Sequence, residues 1–384
     1  MSEIKVNSIK GVAASTAALT INNTDGTCTA NITNNLSDRN IIINGEMTVS
    51  QRKGTTETIV PDNTSFYSVD RFAVFDKLDG GNNFTYQQTT NPVPDGFSHA
   101  LKINTAIADS SIASNNYAFF YQIVEGQNIQ QANLGTSAAK PLTLSFHVYS
   151  NKIGTYTVGL VNQGTFNRTF LKEFTISSSG TWEKKTITFP AITSGTWNDV
   201  RVQWCLSSGT DNQGSADTLL VNQVKLATSN QVNFASTVNT SFDITGVQLE
   251  VGLVATPFEH RSFGEELERC RRYYQVILDR STDSGDDSGL GGTPYTGASG
   301  GVYVPVRFNP PMRTKPTAES SSAGNDFRTR HGDLVNFDSF TGFNTWSRHG
   351  GTLITSASGN KTVGHFYWIE TDQGSAKLAV SAEL

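Results

Sequence analysis

Seven carboxylates stand in segments able to place them on strands: Asp70, Asp76, Glu125, Glu173, Glu183, Glu250 and Glu259. A pair of them across a sugar bond, about 5–9.5 Å apart, would be the apparatus of a glycoside hydrolase. Any β protein of this size offers as many, and no spacing singles out a pair. The six histidines, His99, His147, His260, His331, His349 and His365, show no H-x-H or HExxH spacing. His260, inside FEHRS, is expected to be hydrogen-bonded at a junction between a strand and a helix rather than catalytic. No G-x-S-x-G elbow, P-loop or dinucleotide fingerprint occurs. Asp279, Asp283, Asp286 and Asp287 cluster, but not at the positions of a calcium-binding loop. The expectation is no enzyme, no metal and no cofactor.

Binding chemistry is better represented. An aromatic face stacks on the apolar side of a pyranose while amides and carboxylates bond its hydroxyls. Trp197, Trp204, Trp346 and Trp368 are the candidate ligand-binding residues, with the run Tyr117, Phe119, Phe120 and Tyr121 as a further aromatic group.

The elements that would hold such residues are strands. Only 36% of the 384 residues are hydrophobic and 16% charged. The difference from an average domain is filled by Asn, Thr, Ser and Gly, residues of turns and solvent faces. Leu142, Leu144, Phe146 and Val148 alternate with Thr143, Ser145 and His147. Tyr156, Val158 and Leu160 do the same, followed by runs at 185–189, 200–206 and 242–249. Period-two alternation buries one face of each strand. Many short strands separated by turn clusters imply a jelly-roll sandwich.

The predicted order is an N-terminal arm over 1–38, a sandwich over 39–261, a linking helix over 262–280, a loop over 281–301 and a small distal β domain over 302–384. Within the arm, Thr20 and Ile21 open a short strand that runs into a turn. The helix is predicted from Ser262 as N-cap, Glu265 three residues on, and a stripe of Leu267, Cys270, Tyr274 and Ile277. The fold class is therefore all-β with one α-helix. A net charge of -5 argues against nucleic acid. No apolar run approaches the length of a membrane span or a signal peptide. Cys28, Cys205 and Cys270 are far apart and are expected as reduced thiols.

Several segments resemble one family. NIIINGEMTVSQR (40–52), SVDRFAVF (68–75), FYQIVEGQN (120–128), TLSFHVYSNKIGTY (143–156), WEKKTITFP (182–190) and ITGVQLEVG followed by ATPFEHRSFGEELERCRRYYQ are similar to jelly-roll modules in tail fibres and virion structural proteins of phages, many of them phages of marine bacteria. VRFNPPMRTKPT (306–317) and the ending SAEL also occur in such proteins. Phe72 and His147 depart from the pattern, since Trp is frequent at both positions. The resemblance implies a structural protein of a virion made in a host cytoplasm, most plainly a homotrimeric tail fibre. Its N-terminal arm would bind other virion proteins and its distal part a host-surface glycan or receptor, with no membrane insertion. A head or capsid decoration fibre and a depolymerase tailspike are the alternatives. The chain shows no 20–25-residue repeat of the kind a β-helical tailspike carries.

Overall fold

The computed structural model describes residues 38–280 continuously, much of 302–384, and short strand pieces elsewhere. In the arm these pieces are Ser8–Ile9, Leu19–Ile21 and Cys28–Ala30, which form one three-stranded sheet. The expected strand at Thr20 and Ile21 is its middle member. The rest of the arm, and Asp283, Asp286 and Asp287 of the acidic loop, lie outside the described residues.

The body is the expected sandwich. In chain order its strands are β1 (Thr58–Ile59), β2 (Ser65–Tyr67), β3 (Ala73–Lys77), β4 (Phe84–Thr89), β5 (Ala100–Thr105), β6 (Tyr117–Val124), β7 (Leu142–Ser150), β8 (Gly154–Asn162), β9 (Arg168–Ile176), β10 (Glu183–Phe189), β11 (Val200–Ser208), β12 (Leu219–Val221) and β13 (Ser241–Val251). They form a six-stranded sheet, β10-β7-β13-β5-β4-β1, and a seven-stranded sheet, β12-β9-β8-β11-β6-β3-β2. Leu144 lies between Ile187 and Leu249 across the first sheet. Val158 faces Trp204, and Trp204 faces Phe120, across the second. The inward-facing residues of both sheets meet in one core, and β6, apolar on both faces, also packs Phe119, Tyr121 and Ile123 into a smaller outer cluster.

Asp243 on β13 is fully buried, with Ser241 Oγ donating to Oδ1 at 2.5 Å and Oδ2 without a partner. Burial pushes its pKa up from 3.8 to about 6. A raised folded-state pKa means that the proton favours the fold. The stability from this group is fully present below about pH 3.8 and lost as pH rises through about 6. Asp243→Asn is therefore expected to be the more stable protein above pH 6, by about 2–3 kcal/mol. It should also flatten stability between pH 4 and 6, as read from urea midpoints across that range.

The linking helix is shorter than predicted. It spans Phe263–Arg271, with Ser262 Oγ accepting from Glu265 N at 3.3 Å as the cap requires. Tyr274–Asp279 is not helix but a strand, paired with Lys377–Ser381. The Tyr274 and Ile277 of the helical stripe thus belong to β structure. Tyr, Val and Ile favour a strand when an open edge is at hand, and the C-terminal strand supplies one. Tyr274–Asp279 thus shares a three-stranded sheet with Lys377–Ser381 and Thr317–Ser320 of the distal segment. The distal segment includes the expected strand Val302–Arg307 and a core of Val302, Val304, Val306, Phe308, Met312, Phe327 and Trp346, among others. A further helical turn, Gly126–Ile129, lies in a segment where no helix is predicted.

Candidate functional site

Residues of the 40–52 and 68–75 segments meet in space with the helix and the SAEL ending. Asn44 takes a left-handed backbone, φ +60°, and its amide bonds Val49 N, Val49 O and Asp70 O at 2.8–3.0 Å. Its neighbour Gly45 is required for a different reason. A Cβ there would sit 2.1 Å from the Val247 carbonyl oxygen. Glu266 of the helix is buried and accepts from Asn44 N.

Asp70 and Arg71, adjacent in SVDRFAVF, do not pair with each other. Asp70 is buried, accepts from Gln51 N at 2.9 Å and lies 4.0 Å from Arg52. Burial outweighs Arg52 and pushes its pKa up to about 6. Arg71 pairs with Glu383 in the SAEL ending, donates to Ile123 O at 2.6 Å and stacks 3.4 Å over the Tyr273 ring. Arg52 stacks 3.7 Å over Tyr274 and reaches Glu383 at 3.5 Å. This cluster clamps the two domains.

The other carboxylates are equally committed. Asp76 accepts from Asn83 N and Leu78 N, Glu183 from Ser177 N and Ser178 N, Glu250 from Thr256 N and Glu259 from Asn40 N. Glu173 accepts from Asn230 Nδ2 at 3.1 Å. Among the described residues, no group of three or more His, Cys, Asp or Glu is placed to hold a metal ion. Asp279 pairs with Lys377 at 3.0 Å. His260 lies 3.3 Å from Glu46 at the strand–helix junction, as predicted, within an aromatic group of Phe97, Phe258 and His147. Cys205 and Cys270 are buried free thiols.

The structure sorts the four candidate tryptophans. Trp204 is a correction: it is fully buried in the sandwich, stacked on Phe120 at 5.0 Å and 2°, and edge-on to Phe146 at 5.9 Å. Its position on β11 points it inward, so no ligand reaches it. Trp346 is a second correction. Its ring is in the distal core beside Phe308, and Nε1 donates to Thr352 O at 2.9 Å. Trp368 is 44% exposed, with Phe366 edge-on at 5.1 Å.

Trp197 lines a cleft of about 660 Å³ with Glu125, Gln127, Gln130, Asn133, Asn198 and Asp199. Two segments build it: the helical turn after β6 and the loop leading into β11. They touch at backbone distance. A Cβ on Gly126 would lie 2.3 Å from Asn198 O, and one on Gly135 1.7 Å from Gly195 O. Asp199 Oδ1 accepts from Gly126 N at 2.8 Å, locking the two walls together. Trp197 Nε1 is spent on Ser194 O at 3.3 Å, which fixes the indole. At the cleft's base Glu125 is gripped by Arg272 at 2.8 and 2.9 Å and by the Tyr273 hydroxyl. Burial works to raise the Glu125 pKa, but those hydrogen bonds win and hold it below the ordinary carboxylate value. The cleft thus offers one ring and several amide and carboxylate groups. Of the group Tyr117, Phe119, Phe120 and Tyr121, Phe120 is in the inner core and the other three lie on the sheet's outer face.

No protein-family model matches the chain, and no curated protein matches its sequence. Solved structures similar to it include the enzymatically active domain of tailspike protein 4 of bacteriophage CBA120. That similarity is 12% identity and TM-score 0.31, over 58% of this chain and 24% of the tailspike chain. A family 11 carbohydrate-binding module from Clostridium thermocellum, in complex with a β-1,3-1,4-mixed-linked tetrasaccharide, is 12% identical with TM-score 0.27, over 53% of this chain and 100% of the module. A CBM4 structure is 13% identical with TM-score 0.29, over 54% of this chain and 98% of the other.

Proposed function

We propose that the chain is a non-enzymatic attachment protein of a phage virion, a trimeric tail fibre whose sandwich binds a host-surface glycan at the Trp197 cleft. The observation that carries the binding half is the cleft itself: a fixed indole beside Gln127, Gln130, Asn133, Asn198 and Asp199. That is the mixture of apolar face and hydrogen-bonding groups by which pyranoses are held. The virion half rests on the ordered phage-like motifs and on an N-terminal segment whose described strands are too short to bury a core alone.

Binding is favoured over hydrolysis by the state of the carboxylates. A general acid needs a raised pKa and a free oxygen. Glu125 has a lowered pKa and is held by Arg272 and Tyr273. Asp199 is tied to Gly126 N.

A glycan array probed with the full chain is expected to give selective oligosaccharide signals, and a blank array would count against the binding half. Light scattering on a sizing column is expected to return the mass of three chains. A monomer at high concentration would refute the trimer.

A further inference from the structure

The outer face of the seven-stranded sheet carries another pocket, of about 270 Å³, lined by Tyr117, Phe119, Phe166, Arg201, Asn212 and Leu226, among others. Arg201 is only 8% exposed. Its guanidinium carbon lies 5.0 Å from the centre of the Phe119 ring and 5.6 Å from those of Tyr121 and Phe166. Among the described residues it has neither ion pair nor hydrogen bond, and its buried Nε has no acceptor. A guanidinium brings five donors, and ring faces give the buried Nε–H no acceptor. Burial accordingly brings the Arg201 pKa down to about 10, and no carboxylate opposes the shift.

A second feature points the same way. Phe166 is 48% exposed and sits at φ +48°. A bulky side chain in the left-handed region is an outlier, and such strain clusters at ligand sites. The turn is closed by Phe166 N donating to Asn162 O at 2.9 Å, and it sets the ring over Arg201.

We infer that this pocket is an anion subsite for an acidic saccharide, with Arg201 taking the carboxylate of a hexuronic acid residue and Phe166 taking its ring. A carboxylate matches the guanidinium fork in two parallel bonds. The apolar face of the sugar suits an exposed aromatic. The volume lies just under the roughly 300–1,000 Å³ of drug-sized sites, which fits a single sugar residue. The site shares no residue with the Trp197 cleft, so it stands or falls separately.

The test is calorimetric titration of the full chain with sodium D-glucuronate and sodium D-galacturonate, with D-glucose, sodium acetate and sodium sulfate as controls. Saturable binding of one uronate is expected, at least tenfold tighter than acetate or sulfate, with none for glucose. Arg201→Met should weaken it at least tenfold and Phe166→Ala several-fold, while Trp197→Ala leaves it unchanged. Should Arg201→Met fail to fold, Phe166→Ala on the exposed turn decides. Failure of both uronates to bind would overturn the assignment. So would acetate or sulfate binding as tightly, or uronate binding that Phe166→Ala leaves intact.

Discussion

Replacing Glu383 by Ala is expected to destabilise the folded chain by about 3–5 kcal/mol, although the residue is next to last. Its carboxylate is only 8% exposed and pairs with Arg71, which is 2% exposed. Removing it leaves Arg71 charged in the interior with Ile123 O as its remaining hydrogen-bond acceptor. Burial works against the Arg71 charge, and Glu383 is the first of the neighbours that outweigh it and hold its pKa above the ordinary value. The same carboxylate serves Arg52 at 3.5 Å. Urea denaturation should therefore show a lower midpoint with an unchanged slope. Hydrogen exchange should rise first in the strands Tyr274–Asp279 and Lys377–Ser381, which the clamp holds against the sandwich. Arg71→Met should cost as much, and the double variant Arg71→Met with Glu383→Ala should cost far less than the two single effects added. An additive double variant would mean that the pair is not coupled.

Trp204→Ala is expected to cost about 3–5 kcal/mol as well, by emptying the centre of the sandwich. Phe120, Phe146 and Phe72 all pack on this indole at centroid distances of 5.0–6.4 Å, and none can close the gap without a shift of its backbone. Its Nε1 is buried without an acceptor, which carries a desolvation penalty. Trp204→Phe removes that polar atom and keeps a ring, so it should cost much less than the alanine variant. Thermal or denaturant melts of the two variants check this. Equal losses for Phe and Ala would show that the indole's full volume, not ring stacking, holds the core.

These two residues mark what a sequence can and cannot convey. The strands at β7, β8, β11 and β13 are legible because a two-residue period has only one structural meaning when turns bracket it. The N-cap at Ser262 is legible for a similar reason, since its chemistry is local. The strand Tyr274–Asp279 is not, because its partner lies about a hundred residues downstream and the preceding turns of helix continue the same apolar spacing. Trp204 and Trp197 are equally plausible as sugar platforms in one dimension. Only the register of β11 sends one inward and leaves the other on the approach loop. Arg201 gave no signal in sequence, since an arginine without a partner is defined by what is missing around it. The clamp was half visible: its motifs stand out one by one, but the ending SAEL reads as a tail until Glu383 is seen beside Arg71.

A glycan bound at the Trp197 cleft must lose its stacking partner when the indole is removed. The direct measurement is a calorimetric titration of the wild-type chain and Trp197→Ala with an oligosaccharide selected on the array. Loss of the stacking ring should weaken binding at least tenfold, while the melting transition stays close to wild type because the indole is only partly buried against the core. An affinity unchanged by Trp197→Ala, in a protein that still folds, would contradict binding at this cleft and place the glycan elsewhere on the chain.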